Sequence, residues 1–315
     1  TNELLRFAEF NIGHLNHIHA ANLWNKLGKQ RDVSDHRHQR QISRLLRRSE
    51  ELIDTCNARE LANIAHGVAK CHVQEKDTLC AAIAEAAVRV GLGGFKPQEL
   101  SNTAWAYATA GVRADALYAA IAEAAVRGGL SGFNPQNLSS TAWAYATAGV
   151  RADALYAAIA ETAVCGGLGG FNPQDLSNTA WAYATAGVSR PQLFKELVLA
   201  ITLSMSSSPS CWSADALRAL HLWQLQLSLQ GDVSESQLLS SDLRQRCRDA
   251  MRFADVHPSK LQRSVAVALA ELHPGFEEEV VDEQTGYTLD LALRSSLLAV
   301  EVDGPSHFIH NPGTQ

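Results

Sequence analysis

Three near-identical blocks constrain this chain more than any other feature. Phe95, Phe133 and Phe171 recur at a period of 38 residues, and Trp105, Trp143 and Trp181 keep the same period. Each block reads F-[KN]-P-Q-x-L-S-[NS]-T-A-W-A-Y-A-T-A-G-V. The first two continue R-A-D-A-L-Y-A-A-I-A-E-[AT]-A-V into a Gly-rich link. A repeat of this length is one supersecondary unit that cannot bury its apolar face alone, so it must stack on its neighbours.

The punctuation makes each unit a helical hairpin. In the third block Asn172 is placed to cap the first turn, Pro173 takes the first helical position and Asp175 stands where a capping box has its acceptor. Phe171 and Leu176 occupy the two positions of a hydrophobic staple. Gly111, Gly149 and Gly187 follow where a left-handed residue ends a helix at little cost. On the second helix Leu117, Ile121 and Ala125 recur at i, i+4 and i+8, giving one buried face.

Degenerate copies extend the array. Glu60 to His66 parallels Glu99 to Trp105, Trp212 to Leu217 parallels Phe171 to Leu176, and Ala21-Asn22-Leu23-Trp24 echoes an earlier unit. The expected fold is therefore mainly α, an α-solenoid of helical hairpins followed by a small α/β domain. A basic N-terminal helical segment or degenerate cap covers residues 1–56, and the array covers 57–255, with its best repeats at 95–132, 133–170 and 171–208. After about residue 255 the pattern becomes a helix (Pro258 to Leu272) and three strands (Phe276 to Val281, Tyr287 to Leu293, Leu297 to Val302), giving a last domain at 256–315.

Composition excludes several classes. With 46% hydrophobic and 19% charged residues the chain is globular, and no stretch reaches the roughly 18 apolar residues of a membrane span. Six cysteines at irregular spacings, with no CxxC pair, suggest reduced thiols. Thr1 opens the chain without a charged-then-apolar signal, as expected of a mature or trimmed product. The formal charge of −6 means that any nucleic-acid surface must be local.

Positions that vary among near copies are candidate readers. They are Lys96, Asn134 and Asn172, then Glu99, Asn137 and Asp175, then Asn102, Ser140 and Asn178. Lying three residues apart, they line one edge of the first helix, where two or three side chains per repeat would select a base. Free drift of exposed positions explains them equally well. The Trp105/Tyr107, Trp143/Tyr145 and Trp181/Tyr183 pairs are expected to fill the core, with base stacking as the alternative. The basic footprint lies earlier: Lys26, Lys29, Arg31, Arg37, Arg40, Arg44, Arg47 and Arg48 stand against only Asp32 and Asp35. The arginines from Arg37 to Arg48 keep helical spacing, as a cationic stripe for phosphates would, or a solvated or protein-contacting face.

The Pro-Gln-x-Leu and Trp-Ala-Tyr-Ala core at this period resembles the octotricopeptide repeat family of algal and protist organelle proteins. The last segment, Leu289-Asp290-Leu291-Ala292-Leu293 and then Ala299-Val300-Glu301-Val302-Asp303-Gly304-Pro305-Ser306-His307-Phe308, resembles the RAP domain. That domain's fold resembles the PD-(D/E)xK nucleases and normally continues beyond the point where this chain stops. Together the resemblances imply an RNA-binding protein of a mitochondrion or chloroplast, engaged on a transcript or rRNA in processing, stability, translation or ribosome assembly. Its partners would be single-stranded RNA and ribosomal or other RNA-processing proteins.

Two alternatives stand beside that reading. In a metal-dependent endoribonuclease, Asp290 and Glu301 on adjacent strands, with Asp303, would hold Mg²⁺ or Mn²⁺, Glu271 would be the helix carboxylate, and His307 would position or deprotonate water. The nuclease pattern has Lys two residues after the strand acid, where this chain has Asp303. Equally, Asp290 and Asp303 would serve only to hydrogen-bond turns or cap a helix. The second alternative is a structural ribosome component or protein scaffold.

Overall fold

A computed structural model describes residues 1–30, 33, 36–73, 75–229, 234–253, 258–283 and 285–302. The helices are α1 (Asn2–Phe10), α2 (His17–Leu27), α3 (Gln39–Leu52), α4 (Ala58–Lys70), α5 (Asp77–Val90), α6 (Pro97–Ala110), α7 (Asp115–Gly128), α8 (Pro135–Thr147), α9 (Asp153–Gly166), α10 (Pro173–Thr185), α11 (Pro191–Ser207), α12 (Ala214–Leu229), α13 (Ser241–Arg252) and α14 (Lys260–Leu272). The strands are β1 (Glu277–Val281), β2 (Thr288–Leu293) and β3 (Leu298–Val300). The chain divides within α11 into two compact units, Thr1–Leu193 and one beginning at Phe194. Among the described residues no helix is long and apolar enough to cross a membrane.

In the first unit the helices begin and end where the capping chemistry places them. Asn16, Asn57, Asn134 and Asn172 lie in extended backbone and accept N–H groups of the following first turn. Pro97, Pro135 and Pro173 open α6, α8 and α10, at a position whose N–H has no helical partner to lose. Gly111, Gly149 and Gly187 adopt φ of 66°, 64° and 65°, the left-handed region that a side chain disfavours.

The hairpins stack into two rows, α2, α4, α6, α8 and α10 in one and α1, α3, α5, α7 and α9 in the other. Small residues let the first row pack closely: Ala104, Ala106, Ala142, Ala144, Ala180 and Ala182 are all buried. Between α2 and α4 the approach admits only glycine, since a Cβ on Gly67 would lie 2.5 Å from the Trp24 carbonyl carbon and oxygen. Trp24 is fully buried and donates from Nε1 to Ser49 Oγ at 2.8 Å.

Tyrosines join the rows. The Tyr145 hydroxyl donates to the Tyr118 carbonyl and that of Tyr183 to the Tyr156 carbonyl, both at 2.6 Å, and Tyr107 makes the equivalent bond to the Cys80 carbonyl. Within single hairpins Tyr118 and Tyr156 donate to the carbonyls of Ala104 and Ala142 at 3.0 Å.

In the second unit α12 packs on α13, and Phe194 meets Trp223 edge-on with ring centroids 5.8 Å apart. The sheet is antiparallel, in order β1-β2-β3, with Leu291 paired to Val300 and Leu289 to Val280. Helix α14 starts at Lys260, two residues later than the sequence suggested, because Ser259 caps it by accepting the Gln262 N–H. Gln262 reaches the sheet, its amide donating to Glu279 Oε1 at 2.6 Å. The turn between β1 and β2 meets α12 and α13: the His221 ring bonds the Thr285 carbonyl, and a Cβ on Gly286 would lie 2.9 Å from Arg248 Cγ.

Candidate nucleic-acid interface

On α6 the residues Gln98, Asn102, Trp105 and Thr109 follow one another at helical intervals of four, three and four, so they form one stripe. The same stripe is Gln136, Ser140, Trp143 and Thr147 on α8, and Gln174, Asn178, Trp181 and Thr185 on α10. The core-facing side of α6 carries Leu100, Ala104 and Tyr107, all buried. Trp and Tyr, two residues apart, therefore separate. The tyrosines fill the core as expected, but the tryptophans do not, and the expectation that both would do so is corrected for the tryptophans. Each indole is half-buried on the open side of the first row.

Close packing of the row brings these rings into a ladder. Trp105 and Trp143 have centroids 6.4 Å apart with planes 30° from parallel, Trp143 and Trp181 are 6.4 Å apart at 33°, and His66 of α4 lies 5.0 Å from Trp105. Burial, with the neighbouring charges of Lys70 and Lys29 adding to it, lowers the His66 pKa to about 4, so the ring is neutral at pH 7. His66 is a member of the ladder that the sequence analysis did not single out. Its signal was the parallel between Glu60–His66 and Glu99–Trp105, which puts it in the tryptophan column.

The acids of the first row point away from this face. Glu99, Asn137 and Asp175 accept the backbone N–H groups of Lys96, Asn134 and Asn172 at 2.8, 3.4 and 3.2 Å, completing capping boxes. Asn137 and Asp175 are buried, and Asp175 also accepts from Ser139 Oγ at 2.9 Å. Glu60 is taken up in the same way, by the Asn57 N–H at 2.9 Å and His17 Nδ1 at 2.7 Å. Variation at 99, 137 and 175 is thus exchange between capping groups. Asn134 and Asn172 are exposed, and their Oδ1 atoms accept the Asn137 and Asp175 N–H groups. Asn102, Ser140 and Asn178 are half-buried beside the indoles, and Gln174 donates to Asn178 Oδ1 at 2.7 Å. Lys96 is exposed at the start of α6.

The basic footprint is spread over two helices. Lys26 lies in the last turn of α2 and Lys29 just after it, in the first row, whereas Arg40, Arg44, Arg47 and Arg48 belong to α3, in the second. Arg44 pairs with Glu9 at 3.0 Å, and Arg48 donates to the Leu15 carbonyl at 2.8 and 3.2 Å and to Glu51 at 2.7 Å. These two bind the N-terminal helices together. Arg37, Arg40 and Arg47 are exposed. Arg31 lies outside the described residues.

In the C-terminal sheet Asp290 lies on β2, next to the Leu291–Val300 pair, and Glu301 directly follows β3. The Asp290 carboxylate is engaged, accepting the Val302 N–H through Oδ2 at 2.7 Å. Glu271 is exposed on α14, and Asp303 and His307 lie outside the described residues. No three His, Cys, Asp or Glu among the described residues group as a metal site would require.

No model of a known protein family matches the chain, and no curated protein matches it.

Proposed function

We propose that this chain is a helical-repeat protein that binds single-stranded RNA along the open face of its first helical row. The observation that carries this reading is the ladder of half-buried rings, His66, Trp105, Trp143 and Trp181, on a face whose acids are all turned into capping boxes. Aromatic rings at an open surface hold unpaired bases whatever their sequence, and neutral amides and hydroxyls beside them supply edge contacts. Asn102, Ser140 and Asn178 are the residues placed for those edges. The resemblance to octotricopeptide repeats followed by a RAP domain supports a role in organelle RNA metabolism, in a mitochondrion or chloroplast. Transcript processing, stability, translation and rRNA or ribosome assembly all fit that role.

A gel-shift comparison of an unstructured RNA with its own duplex tests the reading. Single strands are expected to bind and duplex to be rejected, because paired bases present no face to the indoles. Equal binding of the duplex, or binding of neither, refutes it.

A further inference from the structure

The open face changes chemistry along its length. The columns occupied on α6 by Gln98, Asn102, Trp105 and Thr109 are occupied on α4 by Arg59, Asn63, His66 and Lys70, and on and just after α2 by Ile18, Asn22, Asn25 and Lys29. Arg59, Lys70 and Lys29 are exposed, and none forms an ion pair among the described residues. On α6, α8 and α10 the same four columns hold no charge at all.

The two lysines are neighbours in space. A Cβ on Gly28 would touch Lys70 Cβ at 3.2 Å, so the chain leaving α2 passes directly beside the last turn of α4. Both lysines act on the His66 ring, which is the end rung of the ladder. One end of the face is therefore cationic and the rest aromatic and neutral, with His66 at the junction.

We propose, on the basis of the RNA reading above, that the face holds a single strand in two chemically distinct ways. Lys29, Arg59 and Lys70 grip the sugar-phosphate backbone at the α2–α4 end, and Trp105, Trp143 and Trp181 stack bases over α6, α8 and α10. The rings recur every 6.4 Å, one indole to each hairpin, so each of these repeats offers one ring to a base. The strand then lies along the row with its phosphate anchor fixed at one end. The arginines of α3, in the other row, take no part.

The two grips differ in their response to salt. Each phosphate neutralised on a single strand adds about 0.7 to the slope of log affinity against log salt, so three cations contribute about 2. Stacking adds almost nothing to that slope. Fluorescence anisotropy with a labelled, unstructured RNA across a potassium chloride series separates them, using the intact chain and three variants of it. Lys29→Gln/Arg59→Gln/Lys70→Gln is expected to lower the slope by about 2 and to approach the parent at high salt. Trp105→Leu/Trp143→Leu/Trp181→Leu is expected to lose at least about tenfold in affinity at every salt concentration with its slope retained. Arg40→Gln/Arg47→Gln is expected to match the parent.

Thermal melts confirm that each variant is folded, and the first and third change only exposed side chains. If the Lys29, Arg59 and Lys70 variant keeps the parental slope, or the Arg40 and Arg47 variant loses it, the division of labour is overturned while RNA binding stands. If the parent binds no RNA at the lowest salt, the RNA reading itself falls.

Discussion

Tyr145→Phe tests the bonding that makes the repeats one structure. Tyr145 is fully buried, and its hydroxyl donates to the Tyr118 carbonyl at 2.6 Å. Burial raises its pKa well above the ordinary phenol value, so it stays a donor at any pH where the protein is folded. The substitution removes one oxygen and keeps the ring, including its edge-on contact with Tyr118 at 5.0 Å. Tyr118 retains its helical N–H partner, so no carbonyl is stranded, and the loss is that of one neutral hydrogen bond, about 1 kcal/mol. The bond recurs at Tyr107 and Tyr183, and repeat arrays sum their unit and interface terms. The triple Phe variant should therefore lose about 3 kcal/mol. Urea unfolding followed by far-ultraviolet circular dichroism measures this, with a lower midpoint and an unchanged slope expected for the single variant. A Tyr145→Phe protein as stable as its parent would refute the claim that these hydroxyls join the rows.

Three further outcomes follow from the packing. Gly67→Ala places a methyl 2.5 Å from the Trp24 carbonyl and must push α2 from α4, at about 1–3 kcal/mol, read as a lower melting temperature; an unchanged melt contradicts the close approach. His66 has a folded pKa of about 4 against 6.5 unfolded, so the unfolded chain binds the extra proton, and stability present above pH 6.5 declines toward pH 4, by up to about 3 kcal/mol. His66→Asn should flatten that part of the stability-against-pH curve; an unaltered curve places the titration elsewhere. Burial pushes the thiols of Cys56, Cys71, Cys80 and Cys247 up to about 12, so maleimide should label exposed Cys165 and Cys211 first in the native protein, with mass spectrometry assigning the sites; early labelling of Cys80 contradicts its burial.

Much of the array was legible because its signals are local. Asn172, Pro173, Asp175 and Gly187 act within one turn of a helix, and each acts where its residue type and spacing placed it. The separation of Trp105 from Tyr107 was present in the spacing, although both were expected in the core. Two residues on a helix turn the side chain by roughly 200°, so the pair cannot share a face, and Trp105 falls in line with polar Gln98, Asn102 and Thr109. What the sequence could not supply was the distance between helices. The 6.4 Å ladder exists because alanines and Gly67 let the first row close up, a property of neighbouring repeats together. The arginine run shows the same limit. Helical spacing placed these arginines on one helix, as α3 has them, but not the tertiary partners Glu9 and Leu15 that engage Arg44 and Arg48, nor the row to which α3 belongs. The echo at Ala21-Asn22-Leu23-Trp24 marked a real helix but not a rung: counted from its cap at Asn16, Trp24 falls one residue short of the column and is buried, and Asn25 takes that place.

The central claim is that RNA lies on the open face of the first row. Ultraviolet cross-linking of the intact chain to an unstructured RNA, followed by mass-spectrometric mapping of the adducts, tests it most directly. The account predicts adducts at Trp105, Trp143 and Trp181, and on peptides of α4. Adducts confined to α3, to the second row or to the C-terminal sheet would contradict it.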